Sequence, residues 1–303
     1  MIPTFPEFKL IELDDMEEVD RATSGFAPYS DFNFISMWSW NLVDEIAISK
    51  LNDNLVVRFT DYVTCKPFLS FIGDKKINDT CEQLLDFAIK NNLSPSMHWV
   101  PEVCVKEIDL DKFEVHEDRD HFDYIYNIAD LRDYPGNKFS KKRNHVSGFL
   151  KKFPNVEART LSLKDKNVSD SVFKLFEKWQ SNKFKEVDHE LHDLSAMKRL
   201  LRGIEIFDLV VVGIFIEESL VAMFVNQLID SEYSLAHMMK ADLSVDDGLY
   251  AFLMKKNAEI LSSLNIKFFN YEQDLGLENL RIAKGRFYPQ KFLKKYTINY
   301  THK

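Results

Sequence analysis

The sequence predicts an α+β (α/β) protein built as two consecutive halves, each a mixed sheet flanked by helices. The first observation is order. Predicted elements run ααβββαβαβ in both halves, offset by roughly 165–170 residues, the size of a duplicated domain rather than a solenoid repeat; without residue identity between the halves, the alternative is two ordinary α+β domains of coincident order. The second is material for two cores: 303 residues, 45% hydrophobic, with 25 Phe. No Gly/Ser-rich or Pro-rich linker separates the halves, so tightly coupled domains are expected at 1–130 and 131–303. A basic helix at 138–153 would join them.

Taken in chain order, DDMEEVDRATSG starts a helix near Asp14, with acidic residues in its first turn, and stops it at Gly25. A second helix is expected at 31–41. Runs rich in β-branched and aromatic residues then predict strands at 43–49, 55–60 and 67–71. An amphipathic helix follows at 78–90, a strand at 96–100, a short helix at 102–106 and a strand at 113–117. The second half repeats the order. It has helices at 168–185 and 191–201, strands at 207–216, 220–229 and 233–239, and a long helix at 247–264. A strand at 267–270, a helix at 277–287 and a strand at 292–300 complete it. The apolar stretch 207–229 is interrupted by Glu217-Glu218-Ser219 and reads as a hairpin, not a membrane span.

Charge points to the site. The chain carries a formal −9, yet segments 138–153 and 281–295 each hold six Lys/Arg and no acidic residue, leaving −21 on the rest. Most of the surface would repel nucleic acid at long range, so the concentrated cations suggest a bounded anionic ligand, such as phosphates, in a cleft.

On a helical wheel, Phe139, Val146, Phe149, Leu150 and Phe153 form one apolar stripe, with Lys138, Lys141, His145 and Lys152 on the adjoining polar side. Lys142 and Arg143 flank the stripe. They either snorkel to water or bind an anion. In the last helix Lys284 falls inside the arc of Leu277, Leu280, Ala283 and Phe287, with Arg281 one turn earlier and able to share a ligand. The preceding segment carries Glu272 and Asp274 at a strand end. They can cap the helix, anchor a substrate ammonium group, or supply a general base.

Other candidates are weaker. His189 and His192 have helical spacing in a polar helix start, which reads as a solvated face rather than a metal site. His237 ends a strand and is either a catalytic reserve or a core histidine. Cys65, Cys81 and Cys104 show no CxxC spacing and read as free thiols in a reducing cytosol. No signal peptide is visible. All nine glycines are isolated, so NAD, ATP and acetyl-CoA loops lack their pattern, and no cofactor or metal is expected.

Two segments resemble a known family. YIYNIADLRDYPGNKFSKKRNHVSGFLKKF (124–153) looks like the segment ending in Lys-Lys-Arg-Asn in the C-terminal synthase domain of bacterial phosphatidylglycerol lysyltransferases. NYEQDLGLENLRIAKGRFYP (270–289) is similar to that family's N-x-E-x-D-x-G…L-R-x-x-K…P signature. LAHMMKADLSVDDGLY and, more weakly, YSDFNFISMWSW extend the likeness over most of the chain.

The resemblance implies tandem N-acetyltransferase-like (GNAT) folds related to Fem-type peptidyltransferases. It also implies transfer of an aminoacyl group from aminoacyl-tRNA, or another anionic acyl donor, to an amine or hydroxyl. By motif match Lys141, Lys142, Arg143 and Asn144 would lie in the cleft, with Arg281 and Lys284 on phosphates and Glu272 and Asp274 on the aminoacyl moiety. The family's lipid-modifying enzymes carry a membrane domain that has no counterpart here, which argues against a phospholipid acceptor. The alternatives are a non-catalytic binder of tRNA or an anionic metabolite, and an acyl-CoA-dependent N-acyltransferase.

Overall fold

A two-residue turn and short apolar runs set the first sheet. The computed structural model describes residues 1–61, 66–183, 191–242 and 244–301; Cys65 and His189 lie outside them. The chain divides into two units. The first comprises Met1–Asp123, Gln273–Ile282 and Phe292–Lys303; the second comprises Tyr124–Glu272 and Ala283–Lys291.

In the first unit, β1 (Lys9–Leu10), α1 (Met16–Thr23) and α2 (Phe34–Trp40) precede β2 (Ala47–Leu51), β3 (Asn54–Thr60) and β4 (Pro67–Ile72). Asn52 and Asp53 both take positive φ, the conformation a two-residue hairpin needs and these residue types tolerate, which fixes Leu51 opposite Asn54. The resulting sheet is antiparallel in the order β1-β2-β3-β4. Next come α3 (Ile77–Lys90), β5 (Met97–Pro101) and β6 (Phe113–Glu117). The apolar face of α3, with Ile77, Cys81, Leu84, Leu85 and Ala88, closes a core that also contains Phe71, Met97, Cys104 and Ile298. Burial pushes the Cys81 thiol up to about 12, so it sits there as a small protonated hydrophobe.

The second unit centres on a larger sheet. β7 (Asp123–Asn127), α4 (Ile128–Asp133), α5 (Ser140–Lys152) and β8 (Glu157–Leu161) lead into α6 (Lys166–Lys183) and α7 (Leu191–Arg202). Strands β9 (Leu209–Ile216), β10 (Ser219–Leu228) and β11 (Tyr233–Ala241), helix α8 (Leu249–Ser263) and β12 (Phe268–Asn270) follow; the chain then runs through α9 (Glu278–Gly285) and β13 (Lys291–Leu293) to β14 (Lys295–Tyr300), which belongs to the first unit. The seven-stranded order is β13-β7-β12-β11-β10-β9-β8, while β14 forms the centre of a separate β5-β14-β6 sheet.

The stretch 207–229 is a hairpin, turning at Glu217-Glu218 between Ile216 and Ser219. Strand β10 reads as a continuous apolar run because α6 and α8 both pack on it. Its one buried amide, Asn226, pairs with Asn257 of α8 at 2.8 Å and with the Val210 carbonyl at 2.9 Å, beside a bulge at Val225/Asn226. A methyl at Gly248 would meet the His145 carbonyl at 2.5 Å, so glycine there lets α8 start against α5.

The sequence reading had no β7, α4 or β8. Strand β8 (EARTL) has no fully buried residue, so its hydrophobic signal is weak. Helix α4 has only six residues, started by the Asn127 side chain accepting from Ala129 N at 2.9 Å. Two expected apolar positions, Leu150 and Leu277, are instead 41% and 57% exposed.

Candidate functional site

The two carboxylates and two cations of the 270–289 motif find different partners. In the first unit, Asp274 precedes α9 and is wholly buried. It accepts from Arg281 (Nε to Oδ2, 3.0 Å; Nη2 to Oδ1, 2.8 Å), from Arg119 Nη1 at 3.1 Å and from Gly276 N at 3.0 Å. Arg281 also reaches Asp120 at 2.6 Å, and the two carboxylates hold its guanidinium above its usual pKa. Gly276 takes φ +71°, and a Cβ there would meet the Asp120 carboxylate at 2.8 Å. With four donors in place, Asp274 organises this turn and holds two arginines, with their side chains 38% exposed.

In the second unit, Asn270 Oδ1 accepts from Glu272 N at 2.8 Å, and Glu272 takes a positive φ of 55°. The adjacent Tyr271 N donates to the Tyr124 carbonyl at 2.9 Å, and Tyr124 N donates to the Glu272 carbonyl at 3.1 Å, as β7 and β12 run out. Lys284 is buried, donates to the Tyr271 carbonyl at 2.5 Å, and lies 4.5 Å from the Tyr271 ring and 5.8 Å from that of Tyr124. Its ammonium therefore fastens the start of the 271–272 turn from beneath.

On α5 the four motif residues separate. Lys142 lies 3.6 Å over the Phe287 ring, half-buried. Burial, and repulsion by Arg286 and Lys141, lower its pKa to about 8. Among the described residues it forms no ion pair. Arg143 turns away and donates Nη1 to the carbonyls of Tyr134 (2.5 Å) and Gly136 (2.7 Å), closing the end of α4. Lys138 is 3.5 Å from Asp130 and 5.5 Å from the Tyr288 ring, while Lys141 and Asn144 are exposed.

His237 is 2% exposed, 3.1 Å from Gln227 Oε1, and burial lowers its pKa to about 3, so the ring is neutral. Among the described residues no group of His, Cys, Asp and Glu could hold a metal ion, and no helix is long and apolar enough to cross a membrane.

Sequence reasoning missed Lys295. It is fully buried in the first unit, paired with Asp31 and with Asp123 (2.8 Å), and donates to Gln273 Oε1 at 2.9 Å. Asp123 also accepts from Ser30 N and Ser30 Oγ, each at 2.7 Å. The register shift between Tyr296 and Ile298 breaks the alternation that would have marked Lys295 as inward-facing. In the sequence it lies at the end of the basic segment 281–295, which hides its inward role.

No curated protein sequence matches the chain significantly. A crystal structure of a conserved Bacteroides thetaiotaomicron protein of unknown function is similar, with a TM-score of 0.82 and 25% identity over 99% of this chain and 100% of that one. The C-terminal domain of a putative lysylphosphatidylglycerol synthetase from Agrobacterium fabrum aligns at a TM-score of 0.66 and 11% identity, covering 96% and 92%. A tandem GNAT protein from the clavulanic acid biosynthesis pathway shares the fold at 0.50 and 8%, covering 98% and 99%. The fold is therefore mixed α/β with GNAT-like sheets flanked by helices. The profile described as phosphatidylglycerol lysyltransferase, C-terminal, matches residues 25–299, including both motifs, and the chain belongs to that family.

Proposed function

We propose that this protein transfers an aminoacyl or related acyl group from an anionic carrier, with aminoacyl-tRNA as the leading donor, to an amine or hydroxyl acceptor. The observation that carries this is Lys142. A half-buried ammonium with no ion pair among the described residues, lowered to about 8 beside Lys141 and Arg286, is a cationic site awaiting negative charge. Phosphates of the carrier would fill it. Family membership supports the reaction class, because the family's name is that of a lysyl transfer.

Aminoacyl esters are already activated, so the protein's contribution is to position the two reactants and stabilise the oxyanion. Glu272, in its left-handed turn after β12, is the candidate base or ammonium anchor; Lys284, on the Tyr271 carbonyl, holds that segment in shape. His237 stays a reserve in this assignment. A cytoplasmic location, a domain boundary near residue 130 and an origin by duplication belong to the same proposal.

The test is turnover. Incubation with a pool of tRNA charged with labelled amino acids, plus candidate amine and hydroxyl acceptors, should release label faster than spontaneous hydrolysis, and Glu272→Gln should remove the excess. Release at the spontaneous rate with every acceptor, in a protein that still binds charged tRNA, would favour a non-catalytic binder.

A further inference from the structure

The second unit contains a cavity of about 400 Å³ on the face of α5 reached by Arg143. Its lining combines apolar Val146, Leu150 and Tyr134 with the charged Arg143, Lys151, Lys255 and Asp133. Lys142 and Arg143 are adjacent in sequence, but Lys142 lies on Phe287 whereas Arg143 serves this second hollow. We propose that the cavity binds a small molecule with a single carboxylate or phosphate head on an apolar body.

Three features support that ligand class. The volume lies in the range of ordinary small-molecule sites, and apolar side chains with a few placed polar groups are their usual lining. Leu150, which the helical pattern assigned to the core, is 41% exposed here, so an apolar surface is left for a ligand to cover.

The charge of the lining is positive and incompletely answered. Asp133, the lining carboxylate, is already held by Arg132 through two bonds of 2.9 and 2.6 Å. Lys255 shares Glu259 with Lys256, at 3.4 and 2.7 Å. Lys151 forms no ion pair among the described residues.

Arg143 is also well placed. Its Nη1 is fixed by the Tyr134 and Gly136 carbonyls, and Tyr134 is anchored in turn by its hydroxyl on the Ala251 carbonyl at 2.8 Å. The guanidinium plane is thus oriented before a ligand arrives, with Nη2 and Nε making no bond among the described residues. A preorganised fork of this kind suits a carboxylate or phosphate. A head at Arg143 and a short apolar tail against Val146 and Leu150 would satisfy both surfaces together.

The experiment uses the full chain and 8-anilinonaphthalene-1-sulfonate, an apolar anion whose fluorescence rises on leaving water. One saturable site is expected, displaced by octanoate or octyl phosphate at concentrations where acetate and inorganic phosphate have no effect. The stronger of the two competitors identifies the preferred head. Lys151→Glu and Leu150→Gln, both at exposed positions, should each weaken dye binding about tenfold with an unchanged melting temperature. Non-saturable dye binding, or equal affinity in wild type and both variants, would overturn the proposal. So would failure of both octyl competitors.

Discussion

Arg281 grips Asp274 with two nitrogens, at 3.0 and 2.8 Å, and the carboxylate it grips is fully buried. The two residues suggested by sequence as a phosphate contact and a base are each other's partners. Asp274→Asn should therefore act first on stability, since it weakens the hold on Arg281 and Arg119 together. Both arginines are partly exposed and can turn to water, so a loss of about 2 kcal/mol in urea unfolding is expected. Asp120→Asn, on the exposed end of the same network, should cost less than about 0.5 kcal/mol. Equal unfolding midpoints for Asp274→Asn and wild type would remove its organising role.

The buried Lys295 holds together segments far apart in sequence: Ser30 and Asp31, Asp123 and Gln273. Lys295→Met would strand two carboxylates, at a cost of about 3–5 kcal/mol. Burial and the neighbouring Asp123 raise the Asp31 pKa, whereas Asp123 is satisfied by three donors. Asp31→Asn should thus be tolerated far better than Asp123→Asn. The reverse order in chemical denaturation would contradict this ranking of the two carboxylates.

Lys142 should split stability from binding. Its folded pKa is about 8 and the unfolded value is about 10.5, so between those pH values the unfolded chain holds more protons and the folded state gains stability as pH rises. Removing the charge with Lys142→Met should raise the unfolding midpoint slightly at pH 7 while weakening anion binding. In the wild type, anion affinity should fall as pH climbs through about 8. An NMR titration of labelled lysine side chains reads the midpoint directly, and a midpoint near 10.5 would refute the account.

His237 contributes acid sensitivity. It is neutral when folded down to about pH 3, whereas the unfolded ring takes its proton near 6.5, so stability should decline as pH falls from about 6.5 towards 3. His237→Gln should flatten that decline. Its ring resonances should not titrate between pH 5 and 8; a midpoint in that range would contradict the buried, neutral ring.

Much of the fold was legible because its long elements have strong periods. Helices α3 and α8 and the β9–β10 hairpin fall within a few residues of expectation. What escaped was short or weakly apolar, such as α4 and the strand EARTL. The site was legible as a set of residues but not as partnerships. The spacing of Arg281 and Lys284 suggested a shared ligand, yet Arg281 folds back across Gly276 to Asp274, and Lys284 turns to the Tyr271 carbonyl. A turn at a left-handed glycine decides the first, and burial beneath two tyrosines decides the second. Neither is visible in helical spacing.

The most direct measurement is binding of fluorescein-labelled aminoacyl-tRNA at moderate salt, followed by anisotropy, with deacylated tRNA and acyl-CoA as competitors. The account predicts a preference for charged tRNA that falls about tenfold in Lys142→Gln and in Arg286→Glu, at unchanged stability in the latter. Binding of acyl-CoA without tRNA, or tRNA binding indifferent to both substitutions, would contradict it.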